Sequence, residues 1–385
     1  MNRRIKFIAE IVVVVALVGY IVNIAINPRK FRITDVTNYS QSEMNFDGLN
    51  EYVANNIPRS AIIYRLEIIS PDWQWIAYLN KDSNIEFASI QNSSQILHDP
   101  QQEEISNPVS WSPDGQSFVA TTLTGSDAGL PDNVTNKIVI FNLTADNKLE
   151  RYEIHLSSVV THGTPIIKNF RNRITWSPDG KFLAVITNAS RSIIIIDSKA
   201  NYLQTIPIRD GNAISNDTAS NLFWIKNGLI YAYPDSYGSY YYRLMFVNPN
   251  EPLHHIEIIK TKGLAPPTIL GIKDSYFLMA NRLNPQKYEL LLFNYDTFQV
   301  EKSFSIPADI PERDSGDIQN APYTVFITKN PGFADTLWIF DWATLELRKS
   351  WIENYIAVTG WNPKLGGIGV FIEKNNKIQL WVVKP

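Results

Sequence analysis

The pentapeptide Trp-Ser-Pro-Asp-Gly occurs twice, at 111–115 and 176–180. Each copy runs into an apolar stretch, Ser117-Phe118-Val119-Ala120 and Phe182-Leu183-Ala184-Val185. A repeated word constrains a fold more than composition does, because it marks a repeated supersecondary unit that cannot bury its apolar face alone. Ser-Pro-Asp-Gly suits a type I turn: the serine caps the first position, the proline presets φ at the second, and the glycine closes the fourth. The tryptophan before it and the aliphatics after it then end one strand and begin the next. Weaker copies extend the series. Ser70-Pro71-Asp72-Trp73 precedes Ile76-Ala77-Tyr78-Leu79, and Trp224-Ile225-Lys226-Asn227-Gly228 precedes Ile230-Tyr231-Ala232-Tyr233. Gly271-Ile272-Lys273-Asp274 precedes Tyr276-Phe277-Leu278-Met279, and Trp361-Asn362-Pro363-Lys364 precedes Ile368-Gly369-Val370-Phe371. A seventh copy keeps only the strand, Tyr323-Thr324-Val325-Phe326-Ile327.

One apolar residue of that second strand recurs as Ile76, Phe118, Leu183, Tyr231, Leu278, Val325 and Ile368, at intervals of 42, 65, 48, 47, 47 and 43 residues. A period in the forties with several strands per unit is the signature of a β-propeller, each unit one four-stranded blade. Third strands follow in order, among them Ile193-Ile194-Ile195-Ile196-Asp197 and Leu290-Leu291-Leu292-Phe293-Asn294. Fourth strands follow at 203–208, 300–306 and 345–352. Continuous apolar runs suit strands covered on both faces, and alternating runs suit half-covered ones. The fold predicted is all-β: a seven-bladed β-propeller of four-stranded antiparallel blades, preceded by one transmembrane helix. The last unit has three strands and then the chain stops at Pro385. An open sheet edge invites association, so an upstream segment, Phe31 to Thr37 or Ala61 to Leu66, is expected to supply the missing strand.

The run from Trp176 to Ala184 resembles the repeats of TolB-type and WD-repeat-like propellers, which also build the propeller domains of prolyl-oligopeptidase-type peptidases. The resemblance spans residues 60–385 and rests on two strong units. The Gly-His and Trp-Asp dipeptides of WD repeats proper are absent as a pair from every unit. What the resemblance implies is the fold, since such folds host unrelated activities.

Residues 7–26, from Phe7 to Ile26, form an apolar segment whose core, Ile11 to Val22, carries no charge. Twenty residues suffice to cross a bilayer as a helix. A cleaved signal peptide is the competing reading; the run is long and no Ala-x-Ala-like site follows it, which favours an uncleaved anchor. Basic residues on the two sides nearly cancel, and the free amino terminus tips the orientation toward a cytoplasmic start and an extracytoplasmic ring. The domain plan is therefore residues 1–27 as cytoplasmic start and signal anchor, 28–59 as a polar juxtamembrane linker holding a candidate ring-closing strand, and 60–385 as the propeller. The lipid bilayer is the first partner expected.

With no cysteine, the chain has no disulfide or thiolate metal site. A net charge of −3 argues against a general nucleic-acid binder. No Gly-x-Ser-x-Gly elbow occurs; Gly125-Ser126-Asp127-Ala128-Gly129 has aspartate where the nucleophile would be. His98, His155, His162, His254 and His255 lack the spacing of zinc enzymes, and His254 and His255 face opposite ways in a strand. Two insertions in the second unit, 124–133 and 157–171, are the loops where binding would reside. Asp127, Asp132 and Asn133 offer hard oxygens for Ca²⁺, though in no recognised spacing, so a solvated loop is preferred. Tyr231, Tyr233, Tyr237, Tyr240, Tyr241 and Tyr242 read either as a recognition surface or, preferably, as half blade core. No catalytic, cofactor-binding or metal site is assigned. The function expected is a membrane-tethered module that binds or scaffolds a protein, peptide or glycan. The alternative is a propeller enzyme, a glycan hydrolase or lyase, with carboxylates converging at the central channel.

Overall fold

A computed structural model describes residues 32–35, 69–92, 94–105, 107–122, 134–135, 137–158, 167–168, 173–187, 192–208, 220–235, 241–284, 287–307, 311–312, 321–328, 335–352, 355–362 and 366–384. Apart from one 3-10 turn at Leu156–Ser158, their regular structure is all strand. Among the described residues the strands form six four-stranded antiparallel sheets, one three-stranded sheet and a two-stranded ribbon. The expected membrane-spanning helix at residues 7–26 lies outside the described residues. Among those that are described, no helix is long and apolar enough to cross a membrane.

The sheets follow one another along the chain as meanders. The first holds Trp75–Leu79, Ile85–Ser89 and Ile96–His98, with Ile69 bridging to Ile76 where an innermost strand would run. The second holds Asn107–Trp111, Ser117–Thr122, Lys137–Leu143 and Leu149–His155. The third holds Ile174–Trp176, Phe182–Thr187, Ser192–Asp197 and Tyr202–Pro207. The fourth holds Ser220–Ile225, Gly228–Pro234, Tyr241–Val247 and His255–Lys262. The fifth begins at Thr268–Lys273, the sixth at Pro311–Glu312 and the seventh at Tyr355–Asn362. Val134–Thr135, directly after the first insertion, pairs with Ile167–Lys168 of the second in the ribbon.

Each inner strand is buried on both faces, and alternate residues go to opposite neighbours, as the period of two requires. In the third sheet, Leu183 and Val185 pack with Val119, Ile138 and Ile140 of the second. Ala184 and Ile186 pack with Leu229, Tyr231 and Met245 of the fourth. The same arrangement joins the first sheet to the second, the fourth to the fifth, the fifth to the sixth and the sixth to the seventh. First strands of the third, fourth and fifth sheets approach one another, so they form the inner edge there. Fourth strands such as Tyr202–Pro207 are largely exposed.

The last sheet takes its fourth strand from the start of the chain. Arg32–Asp35 pairs antiparallel with Lys377–Lys384, Arg32 opposite Lys384 and Asp35 opposite Trp381. Of the two segments expected to do this, the one around residues 31–37 is used; residues 61–66 lie outside the described residues. Ile368, Val370 and Val383 of this sheet pack on the sixth, while Phe371, Leu380 and Val382 are buried on its other face. The first sheet buries Ile76, Tyr78 and Ala88 on the face away from the second. Both end sheets are therefore covered on both sides.

The repeated word folds as its residues require. Gly115 N–H donates to the Ser112 carbonyl at 2.9 Å and Gly180 N–H to the Ser177 carbonyl at 2.9 Å. The serine hydroxyl donates to the aspartate two residues on, 2.5 Å at Ser112–Asp114 and 2.7 Å at Ser177–Asp179. That hydroxyl also accepts the backbone N–H of Ser117 or Phe182, which ties the turn to its second strand. Neighbouring turns lean on each other. A methyl group on Gly115 would sit 3.1 Å from the Asp72 carboxylate, and one on Gly180 would sit 2.9 Å from that of Asp114. Both glycines have φ near +70°, so the glycine serves the turn and the contact together. In the first copy Trp73 takes the glycine's place at φ 56° and is buried.

First and second sheets are also joined by charge. Lys137 contacts Glu103 at 2.6 Å and Glu153 at 3.2 Å, and Arg151 pairs with Asp99, Glu103 and Glu153. The side chains of Arg151 and Asp99 are almost wholly buried. Burial opposes the charge on Glu153, but the hydrogen bond and charge of Lys137, and then Arg151, outweigh it and hold Glu153 below the usual carboxylate range.

A carboxyl held low when folded contributes stability above its unfolded value, about 4.3 for glutamate. That contribution is lost as pH falls through the lower folded value. Thermal melts from pH 7 to pH 3 should therefore show a drop beginning near pH 4.5 that is shallower in Glu153→Gln. At the stacked turns, Gly180→Ala combines a disfavoured φ with a close approach to Asp114 and should cost about 2 kcal/mol, read as a lowered urea midpoint.

Candidate functional site

The ladder of turns stops at the fourth sheet, and a crevice opens there. Trp111 pairs with Phe118, and Trp176 with Leu183, seven residues on in each case. Trp224 pairs with Leu229, five on, because Ile225 and Gly228 are joined by only Lys226 and Asn227. The shorter turn offers no glycine corner beneath Asp179 comparable to those beneath Asp72 and Asp114. A cavity of about 490 Å³ lies between the third and fourth sheets instead, within the range typical of ligand sites.

Its apolar side is formed by Phe182, Ile195, Leu203 and Trp224. The Phe182 and Trp224 rings stack on each other at 6.3 Å and 22°, and Trp224 is nearly buried. The polar side consists of amides and one charge of each sign: Gln204, Asn227, Asn248, Asn250, Asp179 and Lys226. Gln204 Nε2 donates to the Pro249 carbonyl at 3.2 Å, which bridges the two sheets across the crevice. Asn248 accepts the backbone N–H of Asn250 at 2.9 Å and shapes the turn at the rim. Burial raises the Asp179 pKa, but the Ser177 hydroxyl and then the Lys181 N–H and ammonium outweigh it and hold the carboxyl below its ordinary value. The crevice thus offers a fixed carboxylate already engaged by its own turn, exposed side-chain amides and an apolar wall. A single engaged carboxylate does not make the acid and base pair of a glycosidase.

Leu203 reaches this wall through a β-bulge. Ile195 pairs with Gln204 and Ile196 with Tyr202, leaving Leu203 as the extra residue. A bulge re-aims the side chain it carries. The fourth and fifth sheets bulge at the corresponding place with Ile258, which is buried, and Glu301, which is exposed. Leu203 alone among these three is both apolar and 47% exposed. It belongs to a row at the same end of three successive sheets, in or beside the turns before their fourth strands: Tyr202 and Leu203, then Leu253 at 70% exposure, then Phe298 and Val300. Equivalent turns place Asn147, Ala200, Phe298 and Leu345 at positive φ. Asparagine suits that conformation, and a bulky phenylalanine held there with its ring in solvent is a local cost the fold accepts.

The tyrosine run divides as the preferred reading expected. Tyr231 and Tyr233 are buried and stacked in the core between the third and fourth sheets. Tyr241 is exposed with the Lys260 ammonium 5.2 Å above its ring, and Tyr242 is half-buried. Tyr237 and Tyr240 lie outside the described residues, as do Asp127, Asp132, Asn133 and His162. His255 is half-buried: its Nε2 donates to the Pro252 carbonyl, so its Nδ1 accepts the Tyr231 hydroxyl at 2.8 Å. His254, in the turn before that strand, is exposed with its ring 3.5 Å from Glu251. His98 lies exposed 3.4 Å from Glu86, and His155 is exposed. Among the described residues no three His, Asp or Glu stand together to hold a metal ion. The crevice itself was not read from sequence, although the two residues missing after Trp224 are its signal.

Neither a protein-family model nor a curated protein sequence matches the chain. Solved structures do. The WD40 repeats of RRP9 superpose with a TM-score of 0.50 at 9% identity, covering 92% of this chain and 99% of that one. The β-propeller domain of the Trilobed protease from Pyrococcus furiosus, described as an open velcro topology, gives 0.50 at 10% identity over 80% and 91%. TolB from Acinetobacter baumannii gives 0.41 at 15% identity over 74% and 62%. At such identities the likeness concerns the fold, which is propeller-like.

Leu203 is exposed while Trp224 fills the wall. Leu203→Asp should therefore change unfolding free energy by no more than about 0.5 kcal/mol, and Trp224→Ala should cost about 3 kcal/mol, both measured by urea denaturation.

Proposed function

We propose that the chain is a closed ring of seven blades, tethered to a membrane by residues 7–26 with the ring on the outer face, and that it binds a protein partner along the rim of its third to fifth sheets. The observation that carries the binding is the row Tyr202, Leu203, Leu253, Phe298 and Val300. Single exposed apolar residues are ordinary, but a row of them at one end of three adjacent sheets marks an interaction surface. Large side chains on a rigid sheet edge lose little entropy on binding, which suits a scaffold. The pairing of Arg32–Asp35 with the last sheet and the two-sided burial of both end sheets support the closed ring. The uncharged run from Ile11 to Val22 supports the tether. In that arrangement Arg32 follows Ile26 by only six residues of sequence, which would hold the ring near the bilayer.

The full chain fused to a labelling enzyme should mark a defined partner in cells, and Leu253→Asp with Phe298→Asp should reduce that labelling at least tenfold without lowering the melting temperature. Equal labelling by the double variant would rule out the rim. For the tether, the full chain should float with liposomes and a chain lacking residues 1–27 should not.

A further inference from the structure

The rim row passes beside the crevice at Leu203, and the chemistry of the crevice narrows what can enter it. Sugar recognition by aromatic side chains uses an open ring face, and here the faces of Phe182 and Trp224 are turned on each other. A basic ligand would need an unpaired carboxylate, and Asp179 is held by Ser177 and Lys181, while the exposed Lys226 in the lining tolerates a neutral or acidic one. What the crevice does offer is an apolar wall, Ile195, Leu203 and the two ring edges, facing exposed amides at Asn227 and Asn250 with Gln204 and Asn248 between. Side-chain amides carry both a donor and an acceptor, as the peptide backbone does. A cavity of about 490 Å³ with a few convergent polar groups has the size and lining of a ligand site. The bulge at Leu203 aims an apolar side chain into it where the corresponding bulges bury an isoleucine or expose a glutamate.

We infer that this crevice is a peptide-docking site: it takes an extended segment of a protein partner that carries no basic side chain there, inserts one large apolar side chain between Leu203 and the Phe182–Trp224 pair, and reads the flanking backbone with Asn227, Asn250 and Gln204. The inference rests on the reading that the ring binds a protein partner, and adds to it the place and the kind of segment. Apolar burial supplies the affinity. Unfilled backbone groups would be left without partners against the amides, which supplies selectivity for an extended chain. The open rim leads outward to Leu253, so the bound segment would continue along the exposed row.

The test is selection from a random decapeptide phage library on the purified full chain in detergent micelles, followed by fluorescence anisotropy with synthetic copies of the enriched sequences. Enriched peptides should share one large apolar residue whose neighbours are neutral or acidic. They should bind at least tenfold more weakly to Leu203→Asp and to Asn227→Arg, two surface variants whose melting temperatures should match the parent. Failure to enrich any peptide, equal affinity for both variants, or Leu203-dependent binding of an arrayed glycan in place of peptides would each overturn the assignment. Partner labelling in cells separates this from the broader reading. If Asn227→Arg leaves labelling intact while Leu253→Asp with Phe298→Asp abolishes it, the rim binds the partner and the crevice assignment falls.

Discussion

Two-sided burial is the constraint on which this molecule depends. A sheet strand such as Ser192–Asp197, whose residues through Ile196 are buried, has apolar side chains pointing both ways and is insoluble in isolation. Each sheet must therefore be covered by one neighbour on each face. A linear stack would leave two apolar faces at its ends, and each would be large enough to drive association. Phe371, Leu380 and Val382 at one end and Ile76, Tyr78 and Ala88 at the other are buried. Arg32–Asp35, the earliest strand among the described residues, supplies the edge of the last sheet. This pairing ties residues 32–35 to the last sheet, so its loop-closure cost falls on one contact of very long sequence separation.

Much of this is legible in the sequence because it repeats. The spacing of Ile76, Phe118, Leu183, Tyr231, Leu278, Val325 and Ile368 locates the second strand of every sheet, since a packing position shared by all the sheets leaves an apolar residue in all of them. The turn word is legible for the same reason, and its serine, aspartate and glycine each make the contact their chemistry suggests. Arg32–Asp35 is less so. It has four residues, three of them polar, and what identifies it is the fourth position open at the last sheet rather than any pattern of its own. The contact of each aspartate with the next glycine could not be read at all, because a turn word says nothing about what stacks on it.

The candidate site was hidden for a related reason. Periodicity reveals what sheets share, and the crevice lies at the fourth sheet, the first whose turn departs from the repeated word; the fifth has a two-residue turn as well. Trp224 keeps the tryptophan of the word, so the unit still reads as a copy, but the turn after it is two residues shorter. That deletion leaves the strands in register, because Ile225 pairs with Gly228 and the meander continues. Gly228 is needed for this tight turn: a methyl group there would lie 2.5 Å from the Val247 carbonyl oxygen. The shortening is thus absorbed within the fourth sheet, and the space it vacates appears between sheets.

Whether such a gap becomes a site depends on what lines it. A void lined only by aliphatics would be a cavity defect with a stability penalty that scales with its volume. This gap opens to solvent and is bordered by Asn227, Asn248 and Asn250, which are solvated without a ligand and can exchange water for a partner's amides at little cost. Leu203 has no such excuse. It sits on a bulge and could be polar without disturbing any pairing, as Glu301 shows at the corresponding place in the fifth sheet. An exposed leucine at a position where glutamate is structurally acceptable, beside a gap wide enough for a side chain, is more economically explained by something that covers it than by the folding of this chain alone.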